Sequence, residues 1–248
     1  MNRSLLITGG SRGIGAAAAI LAAQRGWDVA INYTRDAAAA ERVAAQVRAA
    51  GRRALVVQAD VAEEAEVLAM FAAVDREFGR LGGLVNNAGV VDMPARVDEM
   101  SLQRLQRMFA INLTGSFLCA REAVRRMSTK HGGSGGVIVN LSSAAAKLGS
   151  PGQYVDYAAS KAGVDLMTLG LAREVATEGI RVNAVRPGII DTEIHASGGL
   201  PDRARQVAPQ VPMQRAGSAD EVAQAIVWLL SDEASYTTGA VLDVTGGR

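Results

Sequence analysis

Cysteine is nearly absent from this chain of 248 residues: Cys119 stands alone, so no internal disulfide can form. Histidine is almost as scarce. His131 and His195 are the only two, no Cys/His cluster has metal-site spacing, and no metal is expected. Neither sign of charge is in excess, with 26 Lys and Arg against 25 Asp and Glu and a net charge of +1. Such a chain has no general surplus of cations to neutralise phosphates, so nucleic acid is not an expected partner. No apolar run approaches the roughly 18 residues of a membrane span, and the stretch after Met1 is too brief for a signal peptide. These absences predict a chain that works in the reducing cytoplasm, with no membrane contact.

What is present is a globular balance, 49% hydrophobic and 21% charged, at a length that one hydrophobic core can hold. Short apolar runs at Ser4–Thr8, Asp28–Tyr33, Ala54–Gln58, Leu84–Asn86, Val137–Leu141, Arg181–Val185 and Val241–Val244 read as strands. Between them, Ala16–Arg25, Ala37–Ala50, Glu63–Phe78, Leu102–Met127, Asp156–Thr177 and Ala219–Leu230 read as helices. The alternation predicts an α/β fold, a doubly wound parallel sheet of about seven strands with helices on both faces. One domain is expected over residues 1–248. Ser197–Pro212 is the irregular stretch, and a lid is expected near 190–212.

After the first strand comes Thr8-Gly9-Gly10-Ser11-Arg12-Gly13-Ile14-Gly15, opening straight into a helix. In an open parallel sheet this turn is the phosphate position. Glycines let the backbone approach a pyrophosphate, whose charge meets the N–H groups of the helix start. Asn86-Asn87-Ala88-Gly89 ends the fourth strand, and Tyr157-Ala158-Ala159-Ser160-Lys161 opens a later helix. Asp60-Val61, Asn112, Ser142-Ser143 and Pro187-Gly188 complete the set.

In this order and spacing the whole chain resembles the short-chain dehydrogenase/reductase family. The similarity points to its bacterial branch of glucose-dehydrogenase-like and 3-oxoacyl-carrier-protein-reductase-like members. The resemblance implies a single-domain Rossmann fold that binds a nicotinamide dinucleotide. Gly9, Ser11, Arg12, Gly13, Ile14 and Gly15 would then wrap the pyrophosphate and adenosine ribose. Asp60 and Val61 would meet adenine, and Asn87, Ala88 and Gly89 the ribose region. Pro187, Gly188, Ile190 and Thr192 would hold the nicotinamide end. Asp60 is also a good residue to cap the helix that follows.

Tyr157 and Lys161, at i and i+4, share one helix face. A tyrosine at its reference pKa of about 10 is only about one-thousandth ionised at neutral pH. The Lys161 ammonium, with the positive nicotinamide ring that the resemblance implies, would favour the phenolate and lower that pKa by about three units. Tyr157 would then exchange a proton with an alcohol or carbonyl oxygen. The resemblance gives Lys161 the ribose hydroxyls, Ser143 the substrate oxygen, and Asn112 a water that links Lys161 to solvent. Adjacent strand residues face opposite ways, so one of Ser142 and Ser143 points into the cleft. Ser143 is the expected one. An extra residue in Gln153-Tyr154-Val155-Asp156 sets it further from Tyr157 than the family pattern does, and Tyr154 is expected to shape selectivity.

One more absence bears on the cofactor. NAD users commonly place an acid at the end of the second strand, where it holds the adenosine ribose. Here that position is Tyr33, followed by Thr34 and Arg35, and Asp36 turns into the next helix as its cap. Arg12 and Arg35 are expected to converge on a 2′-phosphate, which predicts NADP(H), with NAD possible. The expected substrate is a small alcohol or carbonyl compound (sugar, polyol or ketone). The alternative is 3-oxoacyl-carrier-protein reduction, against which Glu178 stands in the turn before Gly179. A catalytically silent dinucleotide sensor or scaffold is the reading from another class. Met93 to Arg96, Ala144 to Tyr154 and Ile190 to Leu200 are expected to line the pocket, with His195 beside the lid and His131 solvated. The resemblance further implies a homotetramer joined through Leu102–Met127 and Asp156–Thr177.

Overall fold

The apolar runs form strands β1 (Ser4–Ile7), β2 (Asp28–Tyr33), β3 (Ala54–Gln58), β4 (Gly83–Asn86), β5 (Gly136–Leu141), β6 (Ile180–Pro187) and β7 (Val241–Val244). They are seen in a computed structural model that describes residues 3–194 and 198–248. All pair in parallel, in the order β3-β2-β1-β4-β5-β6-β7. The main helices are α1 (Gly13–Gln24), α2 (Ala37–Ala49), α3 (Glu64–Phe78), α4 (Leu102–Phe109), α5 (Gly115–Met127), α6 (Ala145–Leu148), α7 (Val155–Val175), α8 (Arg203–Val207) and α9 (Ala219–Leu230).

Side-chain alternation sends adjacent strand residues to opposite faces. Leu5 and Ile7 join Val29, Ile31 and Val139 in one core, which α1, α2 and α9 close. Leu6 joins Ala30, Leu84 and Ile138 in the other, under α3, α5 and α7. Both faces are covered, which is why the strands read as unbroken apolar runs. In α1, Ala18, Ala19, Ala22 and Ala23 are fully buried, and their small side chains let the helix sit close between the sheet and α9. Asp36 caps α2 as expected, its Oδ1 accepting the Ala39 N–H at 2.8 Å. Among the described residues no helix is long and apolar enough to cross a membrane.

Three features depart from the sequence reading. The helix expected over Leu102–Met127 is interrupted by a π-helical turn at Ala110–Thr114, for a reason that lies in Asn112 (below). The stretch read as irregular contains α8. A short helix, α6, follows the Ser142-Ser143 pair. Because β1, β4, β5 and β6 are neighbours in the sheet, their carboxyl ends gather the glycine turn, Asn86–Gly89, Ser142-Ser143 and Pro187-Gly188 along one edge. Crevices at that edge are where open α/β sheets bind ligands.

Candidate active site

The glycine turn is held by three side chains, of which Thr8 and Asn32 are buried. Thr8 Oγ1 accepts the N–H groups of Asn87 and Ala88, each at 3.0 Å. Asn87 Nδ2 donates back to Thr8 O and Gly9 O, both at 2.9 Å. Asn32 Oδ1 accepts the Gly9 N–H at 3.1 Å, while its Nδ2 donates to Ala59 O at 2.9 Å. Sequence reasoning missed Asn32, a polar residue inside an apolar strand, which was the available signal. Gly9 and Gly13 have φ of +61° and +54°, conformations that favour glycine. A Cβ on Gly15 would stand 2.5 Å from Gly9 O and from Asn87 Nδ2. The first turn of α1 has no side-chain cap and no acidic residue, so its N–H groups remain open to an anion. Arg12 is the N-cap residue there, with Ser11 before it and Ile14 inside the helix start.

At the ends of β2 and β3 the arrangement is more open. Tyr33 packs against the first core, and Thr34 O accepts from Gln58 Nε2 at 2.9 Å. Arg12 and Arg35 are exposed, and neither has an ion-pair partner among the described residues. Asp60 is not the cap of α3: the N-cap residue is Glu63, and Asp60 Oδ1 instead accepts the Ala62 N–H at 2.9 Å in the preceding turn. Val61 is buried behind it, where a Cβ on Gly115 would come within 2.8 Å of its side chain.

Tyr157, Lys161 and Ser143 meet in one cleft, lined also by Ile14, Asn87, Gly89, Pro187, Gly188, Ile190 and Thr192. Lys161 is buried, with Nζ donating to Leu141 O at 2.7 Å and lying 5.8 Å from the Tyr157 ring centroid. Ser143 borders the same cleft as the Tyr157 phenol, where its hydroxyl favours the ionised form. Ser142 also borders the cleft, but its hydroxyl is spent on Lys161 O at 3.2 Å. Asn112 is fully buried and its amide is already engaged. Oδ1 accepts the Val90 N–H at 2.8 Å, and Nδ2 donates to Val90 O at 2.9 Å. This clamp needs Asn112 turned toward Val90, and the π-helical turn accompanies it.

The expected lowering of the Tyr157 pKa is not what the chain itself produces. Burial pushes the phenol above its ordinary value, and the Ser143 hydroxyl pulls only partly against it. Burial likewise brings Lys161 down to about 8, opposed by Asp165 one turn on.

Two further residues were missed. Asp156, adjacent to Tyr157, accepts from Arg104 Nε at 2.7 Å and Nη2 at 3.2 Å, and from the Tyr157 N–H at 2.9 Å. Arg104 Nη1 also donates to Met93 O at 2.6 Å, tying α4, the Met93 segment and the start of α7 together. The Met93–Arg96 segment is not among the residues that line the cleft, and its Ala95 N–H donates to Gln153 O at 3.0 Å. Ala144, Ala145, Leu148, Ser150, Tyr154, Ile190, Thr192 and Ile194 do line it, joined by Val91, Ile189, Arg203 and Arg248. His131 is exposed in a short turn, and His195 lies outside the described residues.

The family described as enoyl-(acyl carrier protein) reductase matches residues 9–248. An Escherichia coli protein named uncharacterized oxidoreductase YgfF is 56% identical over 243 residues, covering 98% of each chain. The 3-oxoacyl-[acyl-carrier-protein] reductase FabG of Staphylococcus aureus is 39% identical over 250 residues, covering 100% of this chain and 98% of its own. Among solved structures, a short-chain dehydrogenase/reductase from Serratia marcescens superposes with a TM-score of 0.91 at 35% identity, covering 100% of this chain and 98% of that one.

Proposed function

Because the chain belongs to the short-chain dehydrogenase/reductase family, we propose that it interconverts a small alcohol and its carbonyl compound with NADP(H), using Tyr157 as general acid and base. The observation that carries this reading is the convergence of Tyr157, Ser143 and Lys161 in one cleft beside an uncapped helix start. When bound, the dinucleotide supplies or accepts the hydride. The uncapped start of α1 and the Gly9–Gly15 turn fit its pyrophosphate. Asp60 and Val61 fit the adenine end, with Asn87, Ala88 and Gly89 at the ribose region, and Pro187, Gly188, Ile190 and Thr192 at the nicotinamide end. Ser143 orients the substrate oxygen, and Tyr157 gives it a proton in reduction or takes one in oxidation. Lys161 holds positive charge beside the phenol. Asn112 acts through its backbone clamp on Val90, next to Gly89. The segment around α8 serves as the lid.

Gly15→Ala is expected to fold yet raise the Kd for NADPH by about tenfold or more, since the new Cβ must displace the turn backbone. Fluorescence titration measures this. Arg12 and Arg35, without ion-pair partners among the described residues, support preference for the 2′-phosphate, as do Tyr33 and Thr34 in place of an acid. Charge-assisted bonds from two guanidiniums predict more than about tenfold higher kcat/KM with NADPH than with NADH. Arg35→Asp should raise the KM for NADPH far more than that for NADH. A wild-type enzyme that uses both equally would sink the assignment.

The second reading, carrier-protein reduction, is favoured by the likeness to FabG. The charge near the end of α5 opposes it. Arg121, Arg125 and Arg126 are engaged by Glu122, Glu64 and Asp75, leaving little free charge for an acidic carrier. Turnover of an acetoacetyl thioester against a panel of sugars, polyols and ketones separates the two. Dinucleotide binding with no turnover across the panel would make the protein a silent sensor. The exposed Phe117, Leu166 and Leu169 on α5 and α7 suit a homotetramer, which light scattering at micromolar concentration tests. The single cysteine, which rules out an internal disulfide, suits the cytoplasm.

A further inference from the structure

The cleft in front of Tyr157 holds charge of one sign. Among the described residues that line it, the charged side chains are Lys161, Arg203 and Arg248, and there is no Asp or Glu. Lys161 is buried and bonded to Leu141 O, beside the phenol. Arg203 stands apart from that pair. Its guanidinium lies over the Tyr154 ring, 5.0 Å from the centroid, and Nη2 donates to Gln153 Oε1 at 2.7 Å. Both partners are neutral, and no carboxylate pairs with Arg203 among the described residues.

The stack and the amide fix the plane of the guanidinium, while Nε and Nη1 donate to no acceptor among the described residues. A planar fork held in this way is suited to bind a carboxylate through two parallel bonds. Leu148, Ile190 and Ile194 line the same cleft and add apolar surface for the carbon skeleton of a ligand. Tyr154 and Gln153 belong to the segment with the extra residue, immediately before the helix that presents Tyr157. The two residues that hold the fork thus sit next to the proton donor, while Arg203 itself opens α8.

We propose that the substrate is an oxo acid, or the matching hydroxy acid, whose carboxylate is held by Arg203 while its oxygen faces Tyr157 and Ser143. This rests on the NADP(H)-dependent carbonyl reading above and narrows it to anionic substrates.

The test compares kcat/KM with NADPH for pyruvate, acetoacetate and levulinate against their methyl esters, in wild type, Arg203→Met and Arg203→Lys. The series moves the carboxylate stepwise away from the carbonyl. Wild type is expected to prefer at least one acid over its ester by about tenfold or more, as one charge-assisted pair supplies. Arg203→Met should abolish that ratio, and Arg203→Lys, which keeps the charge, should retain part of it. A preference for every ester overturns the proposal. So does a ratio that Arg203→Met leaves unchanged while both rates fall, which would make Arg203 a latch between α8 and α7. Turnover of neutral ketones or sugars with all these probes silent overturns the oxo-acid proposal and leaves the hydride-transfer reading standing. Silence toward every carbonyl with NADPH bound overturns both.

Discussion

Tyr157→Phe is expected to lower kcat for carbonyl reduction by about a hundred- to ten-thousand-fold with little change in NADPH affinity, as loss of a positioned proton donor does. The phenol is the titratable donor that shares the cleft with Ser143, and the variant removes only its oxygen. The pH dependence follows from the half-buried phenol and the buried Lys161. Reduction needs the phenol protonated, which burial favours throughout the neutral range. Lys161 has been brought down to about 8, so its positive charge is present below that pH and lost above it. Reductive kcat/KM should therefore be level at neutral pH and fall as pH rises through about 8. Alcohol oxidation needs the phenolate and should be slow at neutral pH, rising toward 8. A reductive rate that climbs through pH 8, or a Tyr157→Phe variant with wild-type turnover, would exclude Tyr157 as the donor.

Asp156→Ala is expected to be the most destabilising of these substitutions. The Asp156 side chain is fully buried and Arg104 is 10% exposed, so removing the carboxylate leaves a desolvated guanidinium without its partner. Breaking such a pair costs about 3–5 kcal/mol, a fall in Tm of roughly 6–20 °C at about 2–4 °C per kcal/mol. Activity should fall further than stability alone explains, because Asp156 Oδ1 also accepts the N–H of Tyr157. Arg104→Met combined with Asp156→Leu should recover much of the loss, since no unpaired charge remains. Thermal melts of the single and double variants check this. An Asp156→Ala protein within about 1 kcal/mol of wild type would show that the pair does not hold the start of α7.

The residues around Tyr157 illustrate how far a sequence can be read. The i, i+4 spacing of Tyr157 and Lys161 depends only on helix geometry, and the pair does share one cleft. Strand alternation and the resemblance favoured Ser143 over Ser142, yet both serines border the cleft, and what separates them is the Ser142 hydroxyl's bond to Lys161 O. Arg104 and Asp156, by contrast, are separated by 52 positions and follow no local pattern. The same is true of Arg203 with Gln153 and of Asn32 with the glycine turn. The continuous helix expected over Leu102–Met127 was sound as periodicity, yet it failed where Asn112 bonds to the distant Val90.

By itself the sequence determined the seven strands, the larger helices, the cap at Asp36 and the glycine turn. Each depends on residues within a few positions: alternation buried on both faces, a side chain reaching its own backbone, or a φ that favours glycine. Tertiary structure alone decided the strand order, the clamp on Val90, the Arg104–Asp156 pair, and the direction in which the Tyr157 pKa moves. Those depend on which groups lose water and which partners arrive from elsewhere in the chain. A desolvation cost exists only once the fold has closed over the group, so the Tyr157–Lys161 spacing that predicted a lowered phenol pKa could not contain the burial that raises it.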